Sequence, residues 1–335
     1  MFRPGRELIV LNQIWMSPPL VSVVIPAYNA ERTIRSTLLS VLRQTVTDFE
    51  VIVVDDGSID STSNIARSLR DSRLRVVRQG NSGHAGARNT GIRHATGKYV
   101  AFVDADDLWL PRKLETQLCF LRRHPNVRAL HSAAIHVDDG LRPLFIGQCP
   151  DGKNSLIDIL CFRGLPGFMC TPIIERQLLD ELGRFDQSLI ILQDWDLAIR
   201  LARRGELYSI SEPLALYRIH SANQSKTLEL HVEPGERILR ALFQDPELPS
   251  EIRESRTYIY AHFYTMLCGG AFQLRRWADA AFWGRKAIAC DRRASLYLLA
   301  LPLRRFQKRA SRIRATRLTK DCAFGMPAVP TRSSP

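Results

Sequence analysis

Residues 98–109, Lys-Tyr-Val-Ala-Phe-Val-Asp-Ala-Asp-Asp-Leu-Trp, constrain this chain more than any other stretch. The apolar run 99–103 reads as a buried strand, and it stops at Asp104, Asp106 and Asp107. Three carboxylates leaving one strand end repel each other. Either they form a solvated acidic turn capping the helix after Pro111, or a cation is brought to them. Magnesium is bound through one or two carboxylates, with substrate phosphates completing its shell. Open α/β sheets also bind ligands beyond the carboxyl ends of their strands.

The rest of the first 125 residues repeats the pattern of an apolar run ending in polar residues. Strands are expected at 21–25, closed by Pro26, at 49–54, running into Asp55-Asp56-Gly57-Ser58, and at 74–77. Between them, 33–43 spaces Ile34, Leu38, Val41 and Leu42 at a helical period. Asp60-Ser61-Thr62 offers caps for a helix through Leu69, 85–95 follows as a helix, and Pro111 opens another to about Arg123. Strands alternating with helices predict an α/β chain with a Rossmann-like, mixed and mostly parallel sheet flanked by helices. Beyond residue 125 the pattern loosens. A strand is expected at 127–137, a helix at 193–204 and short strands at 207–210 and 214–219. From about 232 the chain turns to helices rich in Ala, aromatic residues and Arg, including a pair, 258–268 and 277–290, arranged around Gly269-Gly270.

The 335 residues suffice for one large domain with an appendage. Seven cysteines lie scattered with no Cys-x-x-Cys pair, which argues against a zinc site or a disulfide framework and suits a reducing cytosol. The net charge of +13 is uneven: residues 301–320 hold eight Lys or Arg and no acid. With the short apolar run 294–303 before it, this basic stretch fits an interfacial anchor on an anionic membrane better than a nucleic-acid arm; a solvated, partly disordered tail is the alternative. The apolar run is too short to cross a bilayer. Residues 7–16 do not read as a signal peptide, because they include Glu7 and no small-residue cleavage site follows.

Three further constellations carry chemistry. Pro26-Ala27-Tyr28-Asn29 and Asp55-Asp56-Gly57-Ser58 end adjacent strands and face one crevice. Tyr28 could stack on a base and Asp56 could accept from a ring N–H or a ribose hydroxyl; taken singly, both also suit turns. No Gly-x-Gly-x-x-Gly follows the first strand, so a dinucleotide fingerprint is absent. The small residues of 80–91 allow phosphate to approach a helix start, with Arg88 and Asn89 in its first turns. In Gln193-Asp194-Trp195-Asp196-Leu197, Asp194 opens a largely apolar helix. It is either a helix cap or a general base whose pKa is raised beside an apolar wall.

Over about residues 20–220 these pieces, in this order and spacing, resemble the family 2 glycosyltransferases of the GT-A fold. The matching segments are 23–29, 40–45, 53–58, Ala87-Arg88-Asn89-Thr90-Gly91, Asp104-Ala105-Asp106-Asp107 and Asp194-Trp195-Asp196-Leu197. The resemblance implies a nucleotide-sugar donor, most often a UDP-sugar, and a single inverting transfer to a glycan or lipid-linked acceptor of cell-surface polysaccharide synthesis. It implies that Pro26, Tyr28, Asp56, Arg88 and Asp104 hold the nucleotide. Asp104 and Asp106 would bind Mg2+ or Mn2+, with Asp106 nearer the metal, and Asp194 would be the catalytic base. Gln193 departs from the pattern, which usually has an acidic residue there. The expected organisation is an N-terminal extension (1–19), a catalytic domain (20–225), a helical appendage (226–300) and a basic, disordered tail (301–335). The expected location is the cytoplasm, at the inner face of the plasma membrane, with no nucleic acid as partner. A protein of the same fold that binds nucleotide sugar without turnover is the rival reading. His220 stands either near the diphosphate or metal or as a structural histidine. Residues 138–192 should shape the acceptor site, with 167–171 lining it. Gln273-Leu274-Arg275-Arg276-Trp277 matches the short Gln-x-x-Arg-Trp motif of processive synthases, but so far downstream that it reads as coincidence.

Overall fold

The computed structural model describes residues 18–220, 228–299 and 316. Expectations for the N-terminal extension before residue 18, and for the basic tail apart from Thr316, lie outside the described residues. The alternating half comprises β1 (Val21–Ala27), α1 (Ile34–Leu42), β2 (Phe49–Asp55), α2 (Thr62–Ser68), β3 (Leu74–Arg78), α3 (Gly83–His94) and β4 (Tyr99–Phe102). It is followed by β5 (Leu108–Trp109), α4 (Lys113–Arg123), β6 (Ala129–Val137), β7 (Pro143–Gly147), β8 (Gly152–Lys153), α5 (Leu156–Leu160), β9 (Ile173–Glu175), α6 (Arg176–Glu181), α7 (Gln193–Arg203) and β10 (Leu207–Arg218). The chain then turns helical: α8 (Glu229–Gln244), α9 (Ser250–Glu254), α10 (Arg256–Gln273), α11 (Trp277–Cys290) and α12 (Ala294–Leu299).

All the strands join one mixed sheet in the order β3-β2-β1-β4-β9-β6-β10-β5, with β7 added on β6 and β8 on β10. Its longest ladders, β1 with β2 and β6 with β10, are parallel. Strand alternation divides the side chains between two cores. Val24, Ile52, Val54, Val100 and Phe102 face α3, α7 and the C-terminal helices. Val23, Ile25, Val51, Val53 and Ala101 face α1 and α4. Near-continuous apolar runs are what a sheet covered on both faces requires. The first of these cores runs without a break from Val24 to Ala294, so it crosses the expected domain boundary at residue 225.

Local departures from the sequence reading have local causes. β1 continues through Pro26 instead of stopping there. Val24 O accepts from Val103 N, so Pro26, two residues on, also points toward β4, beyond the end of that ladder at Val24; its missing N–H leaves no bond unmade. The two short strands expected at 207–219 are one strand, β10. Its pairing with β6 slips twice around Pro213, the register shift of a bulge, which the sequence presents as a break. Gly269-Gly270 does not separate two helices, because α10 runs through both. A Cβ at Gly270 would come within 2.5 Å of Leu228 Cδ2, so the small residue serves close packing. The turn falls instead at Leu274–Arg276, where Arg275 takes a left-handed φ of 59°. That turn is also the Gln-x-x-Arg-Trp segment.

Candidate active site

A cleft of about 990 Å³ opens beyond the carboxyl ends of β1 and β4. Pro26, Tyr28, Arg88, Asp104, Asp106 and Asp194 all line it. Six of the seven residues singled out from the sequence therefore meet in one place, although they span 169 positions of the chain. The seventh, Asp56, does not line the cleft. It is buried, and its Oδ1 accepts from Gln79 Nε2 at 2.7 Å and from the Ser82 amide at 2.9 Å. In this position it fixes the loop leading into α3.

Tyr28 is half exposed at the cleft mouth. The next residue, Asn29, adopts a left-handed φ of 49°, and its side chain and backbone are tied to the loop after β2: Ser58 Oγ accepts from Asn29 N, and Asn29 Oδ1 accepts from Ile59 N, each at 3.0 Å. Asn tolerates this conformation better than most residues, and the bonds leave the Tyr28 ring free to face the cleft.

Arg88 links three elements. Buried in α3, it donates from Nη2 to Asp104 Oδ1 at 2.7 Å and from Nη1 to Gln193 Oε1 at 3.1 Å. Gln193 in turn donates to the carbonyls of Leu189 and Ile190. The guanidinium thus joins the acidic turn after β4 to the first turn of α7. Burial pushes the Asp104 carboxyl up, but the charges of Arg88 and His84 and the hydrogen bond from Arg88 together outweigh it and hold the group below its usual value.

The three carboxylates after β4 have different fates. Asp104 and Asp106 reach the cleft, whereas Asp107 turns inward and is buried. Its Oδ1 accepts from the Arg218 amide at 2.8 Å, and the Arg218 side chain clamps the same turn by donating to Asp106 O and Asp139 O, both at 2.7 Å. The two carboxylates expected at a cation, Asp104 and Asp106, thus share the cleft, while the tight turn sends Asp107 to the opposite side. His220 Nε2 lies 2.7 Å from Asp106 Oδ2, and this hydrogen bond raises the imidazole pKa.

Among the described residues no group of three or more His, Cys, Asp or Glu is arranged to hold a metal unaided. The turn still suits a divalent cation that shares its shell with phosphate oxygens. Asp107 Oδ2 is buried with no hydrogen-bond partner among the described residues. Burial, and then repulsion from Asp106 and Asp104, push the Asp107 carboxyl well above its usual range. Positive charge added at the turn would favour the ionised forms of these carboxylates.

Asp194 occupies the first turn of α7, behind Leu192, which caps the helix with φ 63°. The Trp195 amide donates to its Oδ1 at 2.8 Å. Phe162, Ile191 and Trp195 line the same cleft. Burial raises its pKa, and the charge of Arg88 offsets this only in part. A carboxylate so placed is a better proton acceptor near neutral pH than an exposed one.

Several contributors carried no sequence signal. Arg218 lies 111 positions from its partner Asp107, and no local motif marks such a pair. His231 on α8 and Met266 on α10 close the far end of the cleft, and periodicity assigns both only to helices. Gly167, Phe168 and Met169 do line the cleft, within the segment expected to shape the acceptor site.

Comparison with known proteins agrees with this geometry. The family described as "Glycosyl transferase family 2" matches residues 22–149. The amylovoran biosynthesis glycosyltransferase AmsB of Erwinia amylovora is 34% identical over 251 residues, 71% of this chain and 81% of AmsB. The Escherichia coli UDP-Glc:alpha-D-GlcNAc-diphosphoundecaprenol beta-1,3-glucosyltransferase WfgD is 41% identical over 110 residues, 32% of this chain and 44% of WfgD. Among solved structures, S. aureus TarS 1-349 in complex with UDP-GlcNAc superposes with a TM-score of 0.61 over 91% of each chain at 21% identity, a likeness of fold. The extent of the match to AmsB, together with the family match across the strand ends that build the cleft, shows that this chain belongs to glycosyltransferase family 2.

Proposed function

We propose that the chain transfers one sugar, with inversion, from a UDP-sugar to a hydroxyl of a glycan or lipid-linked acceptor in cell-surface polysaccharide synthesis. The observation that carries this reading is the convergence of Asp194 with Asp104 and Asp106 on one cleft, with Arg88 joined to Asp104 and, through Gln193, to the helix that bears Asp194. WfgD is named for a UDP-Glc donor and TarS 1-349 was solved with UDP-GlcNAc, which favours a uridine nucleotide here.

In this reading the nucleotide lies along Pro26, Tyr28 and Arg88, with the Tyr28 ring against the base. Asp56 acts from behind, through the loop it fixes. Mg2+ or Mn2+, when held by Asp104 and Asp106, supplies positive charge to the diphosphate leaving group. Asp194 takes the proton from the acceptor hydroxyl. That oxygen forms its bond to C1 of the sugar as the bond from C1 to the diphosphate oxygen breaks, and the nucleoside diphosphate departs with the electron pair. Burial raises the pKa of Asp194, which favours its role as base.

The test is release of UDP from a panel of nucleotide sugars with Mg2+ or Mn2+, comparing the native protein with Asp106→Asn and Asp194→Asn. Metal-dependent release from one donor, lost in both variants, is the expected result. Nucleotide binding should survive in Asp194→Asn and weaken in Asp106→Asn. Tight binding without turnover on any acceptor would favour the non-catalytic reading, and absence of nucleotide binding would overturn the proposal.

A further inference from the structure

Phe162 occupies a place that two other helices of this chain give to glycine. At the end of α5, Phe162 N donates to Ile159 O at 3.0 Å and Arg163 N to Asp158 O at 2.8 Å, the bond pair that closes a helix through one residue in the left-handed conformation. α6 and α7 end in the same pair of bonds, with Gly183 at φ 77° and Gly205 at φ 69° in that place. After α10 the place falls to Arg275, whose side chain is exposed. After α5 it falls to Phe162, at φ 56°. A bulky side chain is disfavoured there, whereas glycine takes the conformation at no steric cost. Of these four residues, Phe162 alone lines the cleft.

The surroundings fix this ring in place. Ile159 O, which accepts from Phe162 N, also accepts from Trp195 Nε1 at 2.8 Å, so one carbonyl holds both residues. Their rings stack with centroids 4.3 Å apart and planes 18° from parallel. Trp195 is 2% exposed and the nearby Phe263 is fully buried, whereas Phe162 stays partly accessible. The next residue is clamped to α10: Arg163 Nη2 donates to the Tyr258 hydroxyl at 2.6 Å and to His262 Nε2 at 3.0 Å. Phe162 is thus the accessible member of a fixed aromatic stack. A disfavoured backbone conformation held in place by its surroundings is found more often at functional sites than elsewhere.

Trp195 directly follows Asp194, and both line the cleft with Phe162. In the transferase reading the acceptor hydroxyl reaches Asp194, so the sugar that bears it lies against the neighbouring wall. A pyranose presents C–H bonds, with slightly positive hydrogens, on the faces of its ring, and the face of an aromatic ring is negative. We propose, resting on that reading, that Phe162 is a specificity-determining residue of acceptor binding: its ring is the platform on which the C–H face of the acceptor sugar lies while the hydroxyl meets Asp194. The closure of α5 and the Arg163 clamp are positioning devices. They order the ring before the acceptor arrives, so that binding does not have to.

The test uses the full chain with Mn2+, the UDP-sugar it hydrolyses, and the octyl glycosides of glucose, N-acetylglucosamine, galactose and mannose as acceptors. For the glycoside used best, Phe162→Leu keeps the apolar bulk but loses the aromatic face. It should raise the acceptor KM about tenfold with a much smaller change in kcat. Phe162→Tyr should bring the KM back to the native value. UDP affinity, measured by calorimetry, should be the same in both variants as in the native protein. A native acceptor KM in Phe162→Leu would overturn the platform and leave the transferase reading standing, and so would donor hydrolysis with transfer to none of the four glycosides. A raised acceptor KM matched by an equal loss of UDP affinity would mark the ring as merely structural and would also overturn it. Absence of UDP binding by the native protein would overturn the transferase reading and the platform together.

Discussion

Asp194 illustrates how a side chain's surroundings set its chemistry. Its pKa is raised by burial, so the acid limb of the pH–rate profile should lie above the usual carboxylate range. Turnover should fall as pH drops through that raised value, since only the ionised form accepts a proton. In Asp194→Asn turnover should fall by roughly 10²–10⁴-fold. Linkage gives the sign for stability: the folded state holds this proton at pH values where the unfolded chain has lost it, so ionising Asp194 costs stability as pH rises. Asp194→Asn should therefore melt no lower than the native protein near neutral pH, which separates lost chemistry from lost fold. Lys113 is a second buried ionisable residue, outside the site. Its ammonium is fully buried, donates to Gln117 Oε1 at 2.7 Å and stands 4.1 Å from the centre of the Trp109 ring. Burial lowers its pKa to about 7. Below pH 7 the amine is charged in both states and the burial penalty is fully present. Between pH 7 and its unfolded value the unfolded chain holds a proton that the folded chain has released, so this contribution raises stability with pH. Lys113→Met should stabilise the protein at pH 6 by about 1–3 kcal/mol, after the loss of the Gln117 bond, and by less at pH 9, as measured by denaturant unfolding.

At the scale of elements, apolar runs and their acidic ends were legible because both are local. Strands β1 to β4 and the helices between them follow from runs of Val and Ile and from helical spacing, and the polar residues at their ends fall at one edge of the sheet. What local pattern cannot convey is the direction of a side chain within a turn, or a partner a hundred residues away. Asp56 holds the loop before α3 and Asp107 the turn after β4, and no local pattern announces either set of bonds. Gln193 looks like a departure from the family pattern, yet its amide accepts from Arg88 and ties α7 to α3. The short elements β5, β7, β8 and β9 carry no period long enough to read, and they exist because their neighbours in the sheet supply partners. Gly269-Gly270 shows the converse error: glycine marks a break in sequence, but within α10 it marks a close approach.

At the scale of the whole molecule, the C-terminal helices complete the site. Phe263 of α10 is fully buried and lies parallel to the Trp195 ring, with centroids 6.2 Å apart; Phe162 stacks on Trp195 at 4.3 Å. Phe263→Ala should cost about 3–5 kcal/mol and lower turnover with it, because the residue beside Asp194 loses its support. Chemical unfolding should remain one transition with a lower midpoint. Two separated transitions would show that the helices beyond residue 225 fold as an independent unit. The same three rings have an optical consequence. Aromatic chromophores held face to face at these distances couple their electronic transitions, which gives strong near-ultraviolet circular dichroism. Phe162 belongs to the loop after α5 and Trp195 to α7, and both line the cleft, so that signal reports how this wall of the cleft is assembled. A molecule entering there would change it without any label.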